Sequence, residues 1–212
     1  MKDMIIVGAG GFAREEYYLI KSINEVAPRW NIKGFLSDVP MDLASKKIDL
    51  PILGTIKDWH PGTNEVFAMG ISSPAGKAKV ADLLESRGAQ FETLISPKAL
   101  VSSTAIFGTG SVVTATSSVG DCVQIGRFVH IAGSMIGQDS IVDDYSTTTG
   151  FTNVAAAKIG KRVFIGSHAV ILNRRKVGDD AFVCAGSIVF HNIKPGCKVF
   201  GNPAKKVDFD FA

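Results

Sequence analysis

The sequence predicts two units in one chain: a small α/β unit over residues 1–95 and a parallel β-helix over residues 96–212. Three observations carry that prediction. An apolar run, Met4-Ile5-Ile6-Val7, ends in Gly8-Ala9-Gly10-Gly11 and gives way to a helix-period stretch. From about residue 100, aliphatic residues recur every six positions. The chain holds 22 Gly against 13 Phe, 3 Tyr and 2 Trp, so it either turns often or packs backbone close to backbone.

Composition sets the class. Hydrophobic residues make up 46% and charged residues 20%, near the globular average, which excludes disorder as the dominant state. The net charge of +3 comes without a concentrated basic face, so nucleic acid is not expected as a partner. No run of about 18 apolar residues exists, so no transmembrane helix is expected. The start, Met1-Lys2-Asp3, lacks the basic opening and cleavage site of a secretory signal. Cys122, Cys184 and Cys197 form neither a CxxC pair nor a metal spacing. Buried thiols, no bound metal and a cytoplasmic location are expected.

The first unit follows in order. Residues 4–7 read as a strand buried on both faces. The glycine turn opens a helix with Phe12, Tyr17-Tyr18, Ile20 and Ile23 on one side and Arg14, Glu15, Glu16 and Lys21 around them. Strand, glycine turn and helix together offer free N–H groups and a dipole end to an anion. Gly8 and Gly10 fit the dinucleotide fingerprint, and Ala13 takes its last place in the looser G/A form. A second strand, residues 32–36, ends at Ser37-Asp38, where an acid would hold a ribose hydroxyl. A third, residues 65–71, ends at Ser72, and a helix over 75–88 closes at Gly88. The unit is Rossmann-like and gathers Gly8, Gly10, Gly11, Phe12, Asp38 and Ser72 at its strand ends. It is short for a whole dinucleotide and suits a mononucleotide better. The plainer alternative is a glycine turn that only packs helix on strand.

The second unit is a repeat. The aliphatic positions run Leu100, Ile106, Val112, Val119, Ile125, Ile131, Ile136, Val142, Thr148, Val154, Ile159, Ile165, Ile171, Val177, Val183 and Val189. Most steps are six, with a seven before Val119 and fives before Ile136 and Ile159. A period of six fits neither a helix nor a single strand, but it fits short strands joined by tight corners. Each aliphatic residue points inward and stacks on its equivalent one coil away. The small residue that often follows it, such as Gly120, Gly126, Gly137 or Gly166, lets the chain turn.

These repeats, followed by Gly201-Asn202-Pro203-Ala204-Lys205, resemble the left-handed β-helix acyltransferases. With Ile5-Ile6-Val7-Gly8-Ala9-Gly10-Gly11-Phe12-Ala13-Arg14-Glu15 added, nearly the whole chain resembles the bacterial sugar acetyltransferases of the sialic acid O-acetyltransferase type. That group includes N-acetyltransferases of nucleotide-linked 4-amino sugars. The resemblance implies a left-handed coil, a homotrimer, a nucleotide-linked sugar held by the first unit and acetyl-CoA lying between adjacent β-helices. It implies a role in bacterial surface glycan (lipopolysaccharide) synthesis. Gly150, Ser167, His168 and Ala185 are the positions expected along the acetyl-CoA arm.

The chain departs from the family at the general base. The family's Ile-Gly-His-Asp stretch is Ile136-Gly137-Gln138-Asp139 here, so Gln138 stands where the resemblance implies a His. An amide takes no proton at neutral pH, and Asp139 has no imidazole to orient. His130, eight residues earlier and just before an inward aliphatic, is expected on the outer surface or at an interface and is a candidate substitute base. His168 sits at a corner, His191 near the end of the repeat and His60 in a loop. Two readings stand: an acetyltransferase acting on an amine (less readily a hydroxyl), with activity weakened at Gln138, and a non-catalytic trimeric relative that binds sugar nucleotide and CoA or serves as a scaffold. A dinucleotide oxidoreductase leaves the repeat unexplained.

Overall fold

The computed structural model describes residues 1–40 and 43–208. The chain opens with a four-stranded parallel sheet. Its strands are β1 (Lys2–Val7), β2 (Trp30–Leu36), β3 (Ile52–Gly54) and β4 (Glu65–Met69), in the order β3-β2-β1-β4. Helix α1 (Gly11–Val26) follows β1 and α2 (Pro74–Ser86) follows β4. Strand β1 is buried on both faces because its side chains alternate between two cores. Met4 and Ile6 meet Ala13, Ile20 and Ile23 of α1, while Ile5 and Val7 share a core with Ala81 and Leu84 of α2. Helix α2 starts where Ser73 accepts a bond from the Gly76 N–H at 3.3 Å with Pro74 next to it, and Gly88 follows its end at φ +90°. Strand β3 is an addition to the sequence reading. It is a three-residue edge strand with no run long enough to show a period.

The rest is a parallel β-helix of two-residue strands on three faces. One face carries Leu94–Ile95, Val112–Val113, His130–Ile131, Thr147–Thr148, Phe164–Ile165 and Phe182–Val183, then Lys198–Phe200. We call it the docked face. The groove face carries Leu100–Val101, Ser118–Val119, Met135–Ile136, Asn153–Val154, Val170–Ile171 and Ile188–Val189. The polar face carries Ile106–Phe107, Gln124–Ile125, Ile141–Val142, Lys158–Ile159 and Lys176–Val177. The second residue of each pair points inward, giving a continuous core from Val113 to Val199.

That register corrects the start of the repeat. Leu100 is 77% and Ile106 66% exposed, and Val112 packs outward against the α/β unit. The inward residues are Val101, Phe107 and Val113. The chain therefore steps by six without interruption from Val101 to Ile131, and the seven before Val119 is a one-residue slip in the sequence reading. In a strand one residue is the difference between inside and outside. The five-residue steps before Ile136 and Ile159 are real short corners.

The glycines beside the corners also act differently from the expectation. Gly166 and Gly120 keep ordinary backbone angles, but a Cβ on Gly166 would lie 2.5 Å from the Ala185 nitrogen, and one on Gly120 would lie 2.8 Å from the Gln138 nitrogen. They permit coil-to-coil contact. The turn itself is made by residues such as Asp139 (φ 58°) and His168 (φ 61°), whose N–H groups donate to Asp121 O and Gly150 O one coil back, both at 3.0 Å.

The two units share cores. Leu94 and Val112 join the α1 side of the sheet, and Phe128 joins the α2 side, edge-on to Phe91 and stacked on Tyr145 at 5.5 Å.

Candidate active site

A groove with a cavity volume near 760 Å³ runs across four coils of the groove face. Its lining includes Leu100, Ser102, Ser118, Asp121, Met135, Asn153 and Ala155, and Gln138 stands in its wall. Gln138 and Asp139 form the corner between the groove face and the polar face, and both are exposed. The Asp139 N–H is tied to Asp121 O. The Asp121 carboxylate in turn accepts a bond from the Thr104 hydroxyl. This network fixes the corner's backbone and leaves the Gln138 amide at the groove. An amide there can donate or accept a hydrogen bond but cannot relay a proton.

Gly150, Ser167, His168 and Ala185 lie on a different edge, between the docked and groove faces, in three successive coils. Ser167 and Ala185 line a second cavity of about 360 Å³ with Thr149, Phe164, Gly166, Phe182 and Cys184. The Ser167 hydroxyl lies 3.2 Å from Thr149 Oγ1, and the exposed His168 ring sits over Phe151 at 5.1 Å. Gly150 has open space where a Cβ would stand. One chain therefore holds these residues and Gln138 on separate edges of its coil.

At the strand ends of the α/β unit each predicted residue has its own local setting. Gly8 sits at φ +95° and its N–H bonds Leu36 O at 2.8 Å; Gly10 caps α1 with free space on its Cβ side. Asp38 is exposed and accepts from the Lys57 N–H at 3.2 Å. Ala13 takes the fingerprint's last place because Gly70 of the neighbouring strand end presses on it. A Cβ on Gly70 would stand 2.7 Å from the Ala13 Cα. The Ser72 carbonyl accepts a bond from the Thr147 hydroxyl at 2.8 Å, which ties this unit to the coil.

His130 lies at an interface, the second of the two places expected for it, but not one open to substrate. It points outward from its coil, but the α/β unit covers it completely. Phe12 lies flat on its ring, with centroids 4.6 Å apart and planes 3° from parallel. A substrate has no approach to it, so the substitute-base candidate is withdrawn. Burial holds its imidazole well below the ordinary range, helped by the charge of Lys77, so the ring stays neutral.

Sequence reasoning missed two partners there. Glu16 and Lys77 are buried with His130, at 1% and 0% exposure. Burial raises the Glu16 carboxyl well above its usual range, against the pull of Lys77, and burial lowers Lys77 well below its own. The signal was the helix period: Glu16 lies four residues from Phe12 and from Ile20, and Lys77 four from Ala81. His60 and His191 are exposed, and His60 Nδ1 lies 3.0 Å from Asp58 O. Among the described residues no cluster of His, Cys, Asp or Glu has the makings of a metal site, and no helix is long and apolar enough to cross a membrane.

No family model matches the chain. Among solved structures, the acetyltransferase domain of PglB from Neisseria gonorrhoeae superposes with a TM-score of 0.87 at 22% identity, over 98% of this chain and 100% of that one. A His-to-Asn mutant of perosamine N-acetyltransferase from Caulobacter crescentus, in complex with CoA and GDP-perosamine, gives 0.87 at 19% identity over 99% and 98%. The fold is that of the hexapeptide-repeat acyltransferases. Among curated proteins, the serine acetyltransferase of Buchnera aphidicola is 40% identical over 86 residues, 36% of this chain and 33% of its own length. The chain spans about a fifth to a third of the length of the curated relatives it matches. The resemblance carried by the repeat and the Gly-Asn-Pro-Ala-Lys segment is borne out by the solved structures and by the curated relatives. The PglB domain is also known in complex with acetyl coenzyme A.

Proposed function

We propose that the chain is an acetyl-CoA-dependent acetyltransferase that acts on the amino group of a nucleotide-linked sugar, in bacterial surface glycan synthesis in the cytoplasm. In this reading residues 1–95 are a Rossmann-like nucleotide-binding domain and residues 96–212 a left-handed β-helix. The nucleotide lies at Gly8, Gly10, Gly11, Phe12, Asp38 and Ser72. The arm of acetyl-CoA lies against Gly150, Ser167, His168 and Ala185, and Gln138 with Asp139 marks the reaction centre. A sugar amine attacks the thioester carbonyl directly and CoA leaves as the thiol.

The observation that carries this reading is Gln138 in the wall of the groove, beside Asp139 on a corner whose backbone is tied to Asp121 O. The bound ligands of the structural neighbours, CoA and GDP-perosamine, support the substrate class. The separation of Gln138 from the Gly150–Ala185 edge supports a homotrimer, because a neighbouring copy supplies the second edge. With an amide at the base position, attack relies on positioning and on the neutral fraction of the amine.

The same residue favours a second reading: a relative that binds both ligands and turns over neither. One assay separates the two. Turnover of acetyl-CoA is measured with UDP-, GDP- and dTDP-linked amino sugars, on the chain and on Gln138→His. The expected result is slow turnover by the chain and a gain of about 10²–10⁴-fold in the His form, the range a general base supplies. If neither form turns over any sugar, the catalytic reading is discarded.

A further inference from the structure

The reaction scheme leaves one group of chemistry-bearing residues unused: Glu16 on α1, Lys77 on α2 and His130 on the third docked-face strand. Each is buried to 1% exposure or less. They meet where the α/β unit rests on the coil. Lys77 Nζ donates to Ser146 O at 3.2 Å and to Thr147 Oγ1 at 2.8 Å. The Thr147 hydroxyl donates its own hydrogen bond to Ser72 O at 2.8 Å. Glu16 Oε1 lies 3.7 Å from His130 Nε2. Both Glu16 oxygens and both His130 nitrogens lack a hydrogen-bond partner. The Met69 carbonyl approaches the His130 ring, and Phe12 covers its face.

Such a centre is an expensive way to join two units. Buried charges paired across an interface often contribute less than apolar residues of the same size, and unpaired buried polar atoms are destabilising. Its distinctive property is direction. Apolar surfaces slide over one another with little penalty, whereas Lys77 bonded to two adjacent coil atoms admits one arrangement. The parts it fixes are Phe12, in the first turn of the helix that follows Gly10, and Ser72, at the end of β4. Those are the parts the proposed nucleotide site uses.

We infer that Glu16, Lys77 and His130 form a buried positioning centre for the nucleotide-linked substrate, setting the glycine turn and the Ser72 strand end at a fixed place over the coil. The inference rests on the nucleotide reading given under the proposed function. None of the three touches the substrate. Lys77 and Thr147 hold the Ser72 side, His130 supports Phe12, and Glu16 faces His130 from α1 at 3.7 Å.

The test is calorimetric titration of the full chain with UDP, GDP and dTDP, and separately with CoA, alongside the melting temperature. Lys77→Met and His130→Leu are expected to weaken the best-bound diphosphate by tenfold or more and to leave CoA within twofold. Glu16→Gln keeps shape and hydrogen-bonding capacity and is expected to stay within threefold for both ligands. If Lys77→Met fails to fold, Thr147→Val removes the hydroxyl that joins Lys77 to Ser72, leaves the Lys77 bond to Ser146 O, and is expected to weaken the diphosphate alone. The inference is overturned if diphosphate and CoA affinities fall together, or if the melting temperature drops while diphosphate affinity holds. A wild-type chain that binds CoA but none of the three diphosphates overturns the nucleotide reading and this inference with it. That failure is visible before any variant is made.

Discussion

Ile159→Ala and Ile106→Ala remove the same atoms from the same face of the coil and are expected to differ sharply. Ile159 is 1% exposed and stacks between Val142 and Val177 of adjacent coils. Ile106 is 66% exposed and its neighbour Phe107 fills the interior instead. A buried Ile cut to Ala costs about 2–5 kcal/mol, lost transfer energy plus an uncollapsed cavity. A solenoid relaxes poorly at such a site, since the coils above and below are held by their own ladder. The exposed Ile has little to lose, about 0.5 kcal/mol or less. At roughly 2–4 °C per kcal/mol for a chain of this size, Ile159→Ala should melt roughly 4–20 °C lower, and Ile106→Ala within about 2 °C of the parent. Thermal denaturation followed by circular dichroism, at one fixed protein concentration, reads both. Equal losses, or a larger loss at Ile106, would refute the inward register and restore the sequence's first placement of the repeat.

Other outcomes follow from the junction and the strand ends. Acid should loosen the fold through His130: its folded pKa is depressed, so its contribution is complete above about pH 6.5 and declines as pH falls below that value, because the unfolded chain takes up the proton first. Glu16, with a raised pKa, opposes this trend, so urea titrations from pH 7.5 to 5.5 should show a steeper decline in Glu16→Gln. Gly70→Ala should destabilise by about 1–3 kcal/mol, since the new methyl meets Ala13 and the Val7 carbonyl at 2.8 Å; the urea midpoint measures it. A thiol reagent should label the exposed Cys122 quickly and Cys184 only on unfolding; Cys184 is buried, with its thiol pKa pushed up, and equal rates would contradict its packing.

The parts of this molecule legible in its sequence are those set by neighbours along the chain. The six-residue period gave the coil because each inward residue meets the same kind of residue one coil away. The run at 4–7 and the glycine turn gave the parallel sheet. What could not be read was settled between distant segments. Leu100 and Ile106 keep the period as well as Val101 and Phe107 do, since at the first coil both residues of each pair are apolar. The burial of His130 depends on Phe12 arriving from more than a hundred positions away. Glu16 and Lys77 were visible only as charges on their helices' buried stripes, a conflict that a reading by residue type resolves in favour of solvent. At the candidate site, Gln138 and Asp139 were found by motif, and the corner that presents them by geometry.

The docked face also limits how this chain can change in length. A solenoid grows by whole coils, and each coil here is a nearly interchangeable layer on its inner side. Its outer side is not. The coils bearing Leu94, Val112, His130 and Thr147 carry part of another unit's interior on their outer surface. An extra coil added after Val183 would lengthen the stack and leave the α/β unit undisturbed. One inserted between His130 and Thr147 would part the seat of Phe12 from the anchor of Lys77. Duplication in this lineage therefore has a permitted end and a forbidden one.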